Sequence, residues 1–172
     1  MSHPNQMLFV KSVQACFPDN FANKKVLEIG SLNINGSVRE FFTGCDYLGV
    51  DVGEGKDVDM VCKGHELPFP NLTFDTVISC ECLEHDKHWL QTFTKMCELS
   101  KDLVVMTCAT TGRKEHGTTT TKPEDAPFTN DYYKNLAIHD LVENFDFHTI
   151  FKHFGFAVNS DSYDLYFWGK KC

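Results

Sequence analysis

The stretch Val26–Phe42, VLEIGSLNINGSVREFF, decides how the rest of the chain is read. After Lys25, the residues Val26, Leu27 and Ile29 form a short apolar run interrupted only by Glu28, the pattern of a buried parallel strand rather than a half-exposed one. Gly30, Ser31, Asn33, Asn35 and Gly36 follow, residues that tolerate positive φ or hydrogen-bond their own backbone, so the chain turns here. Val38, Phe41 and Phe42 then recur at helical spacing. Strand, tight turn and helix are expected in succession. In an open α/β sheet ligands bind outside the carboxyl ends of the strands, which makes this turn the expected ligand site.

Working outward, 172 residues with 42% hydrophobic content can bury one good core, and no linker or composition shift marks a second domain, so a single domain spanning 1–172 is expected. Sixteen basic against twenty-four acidic residues give a formal charge of −8, which repels a phosphate backbone and makes nucleic acid an unfavourable partner. The apolar runs are too short to span a bilayer, and the start, MSHPNQMLFVKSVQ, lacks the features of a signal peptide; no membrane association and a cytoplasmic location are expected. Eight cysteines show no CxxC pair and no zinc-like spacing, and most lie in apolar runs, so they are expected to be reduced and structural. Cys80 and Cys82 flank Glu81 near the expected site, where thiol modification would affect activity.

Along the chain, Asn5–Phe17 reads as an amphipathic helix ending before Pro18. Tyr47–Val50 and Val58–Cys62 read as strands two and three, joined through Gly53 and Gly55. Asp51 closes strand two about twenty residues after the glycine turn, the distance at which a doubly wound fold places a carboxylate for ribose hydroxyls. Phe74–His85, FDTVISCECLEH, carries strand four through Val77 and Ile78, and a helix follows from Asp86 to Ser100 with Trp89, Phe93 and Cys97 on one face. Leu103–Met106 reads as strand five. The long polar loop from Cys108 to Asn130 lies at its carboxyl end, where long loops tend to be functional. Asp131–Phe154 is expected to supply helices, and Gly155–Lys171 two strands joined by a short turn.

From Lys25 to Lys171 the order of these pieces resembles the class I S-adenosylmethionine-dependent methyltransferases, most closely the small single-domain group with LPF and FDxVxSxExLEH signatures, here Leu67–Phe69 and Phe74–His85. The resemblance implies an α/β fold: a doubly wound, mostly parallel seven-stranded sheet of order 3-2-1-4-5-7-6, strand seven antiparallel, with helices on both faces. The pair Phe156–Asp161 and Asp164–Gly169 matches the closing strands. It also implies S-adenosyl-L-methionine as cofactor, leaving as S-adenosyl-L-homocysteine. Glu28 and Gly30, with Ser31, Asn33 and Gly36 in the same turn, fall where the methionine part of the cofactor passes; Asp51, with Val52 beside it, matches the ribose-binding acid. Gly64 and His65 match positions that line the adenine, Leu67 and Phe69 those that pack beside it, and Ser79, Cys80 and Glu81 those beneath the sulfonium. Two features depart from the family. Leu32 and Ile34 stand where many members have glycines, and Lys63 stands where many have an aspartate to bind the adenine amino group.

Methyl transfer is an in-line displacement that gains chiefly from holding the nucleophile and methyl carbon close and aligned. For a hydroxyl acceptor a general base is useful, and the candidates are Glu81, Glu84, His85 and His116, the last in the polar stretch KEHGTTTT. Asp131, Asn130 and Glu115 have unspecific spacing for a metal site, so no metal is expected; Phe128, Tyr132 and Tyr133 fit an aromatic wall over the acceptor. A nicotinamide-dependent oxidoreductase would also use a glycine turn with Asp51, but Leu32 and Ile34 remove the glycines that let backbone approach a pyrophosphate. An inactive cofactor-binding module or regulatory partner is the other alternative. The expected acceptor is a small molecule or sugar, methylated at oxygen.

Overall fold

Neighbouring residues of the central strands are apolar in both directions because both faces of the sheet are covered. A computed structural model describes residues 3–172; the first two residues of the expected 1–172 domain lie outside the described residues. The elements that carry the sheet are α1 (Pro4–Cys16), β1 (Lys25–Ile29), β2 (Asp46–Asp51), β3 (Met60–Val61), β4 (Phe74–Cys80), α2 (Trp89–Leu99), β5 (Ser100–Ala109), α3 (Ile138–Val142), α4 (Phe147–Ile150), β6 (Phe151–Asn159) and β7 (Asp164–Lys171). They form a seven-stranded sheet in the order β3-β2-β1-β4-β5-β7-β6. β1 pairs parallel with β2 and β4, as do β2 with β3 and β4 with β5, while β7 runs antiparallel to both β5 and β6.

The two-residue period of the strands sorts side chains between two cores. Val26, Ile78, Cys80, Leu103 and Val105 point to one face and pack with Val10 and Val13 of α1. Leu27, Ile29, Val77, Val104 and Met106 point to the other and pack with Phe93, Met96, Cys97 and Leu99 of α2. Each such fully buried side chain contributes about 1.5–3 kcal/mol relative to exposure, so the central strands are the most strongly held part of the chain.

Five elements differ from the sequence reading. The helix expected over Val38–Phe42 is a single 3₁₀ turn, Val38–Phe41, because β2 begins at Asp46 and leaves too little chain for a nucleated helix. Phe42 leaves the turn to stack on Phe21, with centroids 4.5 Å apart. Strand three is only Met60–Val61, and strand five extends from Ser100 to Ala109, well beyond Leu103–Met106. The segment Asp131–Phe154 holds only α3 and α4 as α-helices, and its last four residues already belong to β6. Phe147, Phe151 and Phe154 mimic helical spacing but meet in one aromatic cluster from a short helix and a strand. The helix expected over Asp86–Ser100 starts at Trp89, with Asp86 ahead of it accepting the His88 N–H at 2.7 Å and the Thr92 hydroxyl.

No helix among the described residues is long and apolar enough to cross a membrane, and all eight cysteines are free.

Candidate functional site

The strand order reverses between β1 and β4, and a cavity of about 720 Å³ opens at the carboxyl ends there. Its floor comes from Ile29 and Gly30 after β1, its side from Asp51 and Val52 at the end of β2, and its far wall from the turn that leaves β4. Residues 125–132 of the long loop cross the opening.

The turn after β1 closes on β2: the N–H groups of Gly30 and Ser31 both donate to the Val50 carbonyl, at 2.8 and 3.1 Å. Gly30 sits at φ +84°, and a Cβ there would lie 2.4 Å from Cβ of Cys82. The glycine is therefore required by the turn leaving β4 as well as by its own backbone. Asn33 does the work of the missing glycines, with Oδ1 accepting the Gly36 N–H at 2.9 Å while Nδ2 donates to Asp57. Leu32 and Ile34 point into the cavity, where glycines would have left space.

Asp51 is held by backbone. Its Oδ2 accepts the Leu32 N–H at 3.0 Å and its Oδ1 the N–H of Val52 at 2.7 Å and of Gly53 at 3.4 Å. Burial raises its proton affinity, and these amide donors oppose that effect. Lone pairs remain on a fixed carboxylate that faces the cavity, which suits a vicinal diol. His65 also faces it, its ring 4.3 Å from that of His88 and its Nδ1 buried without a protein partner among the described residues. Lys63 is drawn away to Glu66, Nζ to Oε1 3.0 Å. These groups fit a nucleoside cofactor: a carboxylate for its ribose and an orphaned ring nitrogen beside a second, tilted imidazole for its base.

The remaining expected cofactor residues are split. Gly64 and Val52 line the cavity, as does Glu81. Ser31, Asn33, Gly36, Leu67, Ser79 and Cys80 do not; they shape the turn or fill the core, Leu67 in the cluster around α2 and Cys80 in that around α1. Glu28 lies beneath the turn, 4% exposed, accepting the Tyr47 hydroxyl at 2.9 Å. Burial pushes its carboxyl up to about 7 although that hydrogen bond opposes the shift. A native state that holds this proton more tightly than the unfolded chain loses stability as pH climbs from the ordinary carboxylate value to about 7, and above that the loss is complete. Glu28→Gln keeps an acceptor for Tyr47 without the charge. It should be more stable than the parent at pH 8 by about 1–3 kcal/mol, with the gap closing towards pH 5 in urea melts; a gap independent of pH would refute this.

On the far wall, Glu81 leaves β4 in the left-handed region, φ +52°, which bends the following Leu83–His85 3₁₀ turn back across the sheet end. Glu81 Oε2 lies 3.6 Å from Nε2 of His3, which also meets Asp164 at 3.1 Å. Hydrogen bonding to Asp164 and Glu81 pushes His3 up to about 9, so the start of α1 is pinned to the sheet end by an ion cluster. Glu84 is fully buried behind the turn, Oε1 accepting the Ala109 N–H at 3.1 Å; burial, and then the charge of Glu81, raise its pKa.

Of the four candidate catalytic residues, Glu81 and His85 line the cavity, while Glu84 and His116 stand behind them. His116 reaches His85 from the long loop, Nε2 to Nε2 3.3 Å, and its Nδ1 faces the Lys114 carbonyl at 3.2 Å. Tyr133 packs on both imidazoles, with centroids 5.4 and 4.9 Å away. Gly117, at φ +68°, lies flat against the pair: a Cβ there would be 2.9 Å from Cε1 of His85. Burial drives His85 down to about 3 and lowers His116 as well. Such a neutral ring accepts a hydrogen bond readily but holds a transferred proton poorly, so His85 suits orienting an acceptor better than general-base work.

The sequence reading missed Cys82, Asp86 and His88 as lining residues. The ExLEHD string was visible, but which of its side chains turn inward depends on Glu81's backbone. Asn130, Asp131 and Tyr132 line the cavity, as does Phe128, which lies over Gly53 and leaves no room there for a Cβ. Glu115 does not join them. Its Oε1 accepts the hydroxyls of Thr118 and Thr120, while Asp131 accepts from Thr119.

A family model described as a methyltransferase domain matches residues 3–160. Among curated protein sequences, none matches the chain significantly. Similar solved structures include the CurJ carbon methyltransferase, with 13% identity and a TM-score of 0.64 over 98% of this chain and 54% of that one. The YcgJ protein of Bacillus subtilis gives 12% identity and a TM-score of 0.65 over 98% and 99%. Phosphoethanolamine N-methyltransferase 2 of Haemonchus contortus, in complex with S-adenosyl-L-methionine, gives 16% and 0.62 over 93% and 52%. The chain thus spans about half the length of the first and third of these.

Proposed function

From the premise that this chain belongs to the methyltransferase domain family and is an S-adenosylmethionine-dependent methyltransferase, we propose that it methylates a small hydroxyl-bearing molecule or sugar at oxygen. The observation that carries this reading is that Asp51, fixed by three backbone N–H groups on one side of the cavity, and His85, on its far wall, face the same space. Asp51 would bind the ribose and His65 the adenine, leaving the Glu81 and His85 side for the acceptor. A volume of about 720 Å³ accommodates a nucleoside cofactor and a small acceptor together. Polar lining groups there favour a hydroxyl over an apolar carbon. The net charge of −8 argues against nucleic acid, and the eight free cysteines accord with a reducing, cytoplasmic setting.

The Mechanism this supports is one of placement. Cofactor chemistry supplies the electrophilic methyl group; the chain's own residues hold the ribose, exclude water beneath the loop of Phe128 and Tyr132, and set the acceptor oxygen in line through His85. Screening small acceptors with labelled cofactor, read by mass spectrometry, tests the acceptor class, and methylation confined to nitrogen or carbon would overturn the oxygen assignment. In titration calorimetry, Asp51→Asn should weaken S-adenosylhomocysteine by about 1.5–3 kcal/mol, the scale of hydrogen bonds to a charged group. Asparagine keeps one acceptor for the Leu32 N–H, so the turn survives. Unchanged affinity would assign the ribose to another residue.

A further inference from the structure

Three side chains, His85 in the cavity wall and Glu84 and His116 behind it, come together without a complete set of partners. Among the described residues, one ligand atom from each of Glu84, His85 and His116 lies within 4.8 Å of the others. We propose that they form a binding site for a divalent first-row transition cation, with the cavity-facing side of His85 leaving a coordination position open to the acceptor.

The separation of the two imidazoles fits a shared cation as well as it fits a hydrogen bond, and the buried Glu84 beside them adds the reason for a cation. Two histidine nitrogens bound to one cation at bond lengths of about 2.0–2.1 Å and a tetrahedral angle lie about 3.3–3.4 Å apart. The Nε2 atoms of His85 and His116 are 3.3 Å apart. Nδ1 of His116 faces the Lys114 carbonyl, and a proton held there leaves the Nε2 lone pair free to ligate, the usual orienting contact of a metal-bound histidine. Glu84 is wholly buried and its Oε2 has no hydrogen-bond partner among the described residues, a costly state for a carboxylate that a cation would relieve. Two imidazoles and one carboxylate favour zinc, cobalt or manganese over magnesium, which prefers oxygen ligands. The other group of this kind, His3 with Glu81 and Asp164, is already an ion cluster and has no need of a metal.

Three protein ligands and an open position make a Lewis-acid site able to hold and polarise an acceptor hydroxyl or its alkoxide. The metal site stands on its own geometry, while this role rests on the acceptor reading above. In either case no electron is transferred: the acceptor oxygen loses its proton to solvent and the carbon–sulfur bond of the donor breaks as the carbon–oxygen bond forms.

Tag-free protein, stripped with a chelator and dialysed, would be titrated with Mn²⁺, Co²⁺ and Zn²⁺ and read by elemental analysis and by the Co²⁺ visible spectrum. One equivalent per chain is expected for at least one of the three ions, with nitrogen and oxygen rather than thiolate ligation in the Co²⁺ spectrum. His116→Ala and Glu84→Gln should each weaken binding by about 10- to 100-fold or more. His116→Ala, which removes a side chain that stands behind the lining and away from Asp51 and His65, should bind S-adenosylhomocysteine as the parent does, showing that the variant is folded. Substoichiometric metal in the parent, or His116→Ala binding metal as tightly as the parent, would overturn the site. Loss of S-adenosylhomocysteine binding by the parent would instead overturn the cofactor reading and leave the metal titration unaffected.

Discussion

Replacing Gly30 with alanine is expected to destabilise the chain by about 2–4 kcal/mol and to abolish measurable cofactor binding at ordinary concentrations. Two independent costs add. Gly30 holds φ +84°, a conformation alanine adopts only with strain, and the added Cβ would meet Cβ and Sγ of Cys82 at 2.4 and 2.6 Å. Sγ of Cys82 can rotate away but its Cβ is fixed to the backbone, so relief must come from moving the turn that leaves β4, or the turn that leaves β1. Either shift displaces cavity wall, since Gly30, Cys82 and His85 all line it. The check pairs chemical denaturation with calorimetry on S-adenosylhomocysteine. Reducing the partner, as in Gly30→Ala with Cys82→Gly, should recover part of the stability lost, because the clash is removed while the φ strain stays. A single variant as stable as the parent would mean that the two turns can separate without cost.

The second large effect is expected at His85, where alanine should lower turnover by about 10²-fold or more while leaving cofactor affinity within about threefold. His85 is the one histidine of the His85–His116 pair that lines the cavity, so of the two it is the nearer to any bound acceptor. Its ring is kept neutral by burial, which fits a group that accepts a hydrogen bond or ligates a cation. Loss of either function removes an interaction that aligns the acceptor in the transition state, and the deficit should appear in kcat more than in KM. Single-turnover methylation of the best acceptor found by screening measures it. Turnover within about twofold of the parent would move the search for the acceptor-orienting group to Glu81.

Local chemistry in the sequence specified much of this architecture. The apolar runs Val26–Ile29, broken only by Glu28, and Val77–Ile78 marked strands covered on both faces, and they are the central strands β1 and β4. Gly30, Asn33 and Gly36 marked the turn, and Asp51 emerged at the cavity because its distance from the turn fixes it at the end of the adjacent strand. The strand order came from the family resemblance and agrees with the observed order. Periodicity failed where aromatic residues gathered from different elements: Phe147, Phe151 and Phe154 share a cluster rather than a helix face.

What the chain order could not supply was the direction of side chains at the strand ends. His85 and His116 are 31 residues apart and meet only because β4 and β5 are neighbours, which returns the loop after β5 to the turn after β4. Within ECLEH, the left-handed backbone at Glu81 decides that His85 faces the cavity while Glu84 is buried behind it, bound to the Ala109 N–H. One residue's φ rotates every side chain after it, and that angle is selected by packing against Gly30 and β5 rather than by the residues' own preferences. The sequence by itself determined the central strands, the turn and the placing of a carboxylate at the end of β2, because each follows from local pattern and spacing. Tertiary structure alone decided which histidine lines the cavity and which groups stand together behind it, because those depend on contacts between segments distant in the chain.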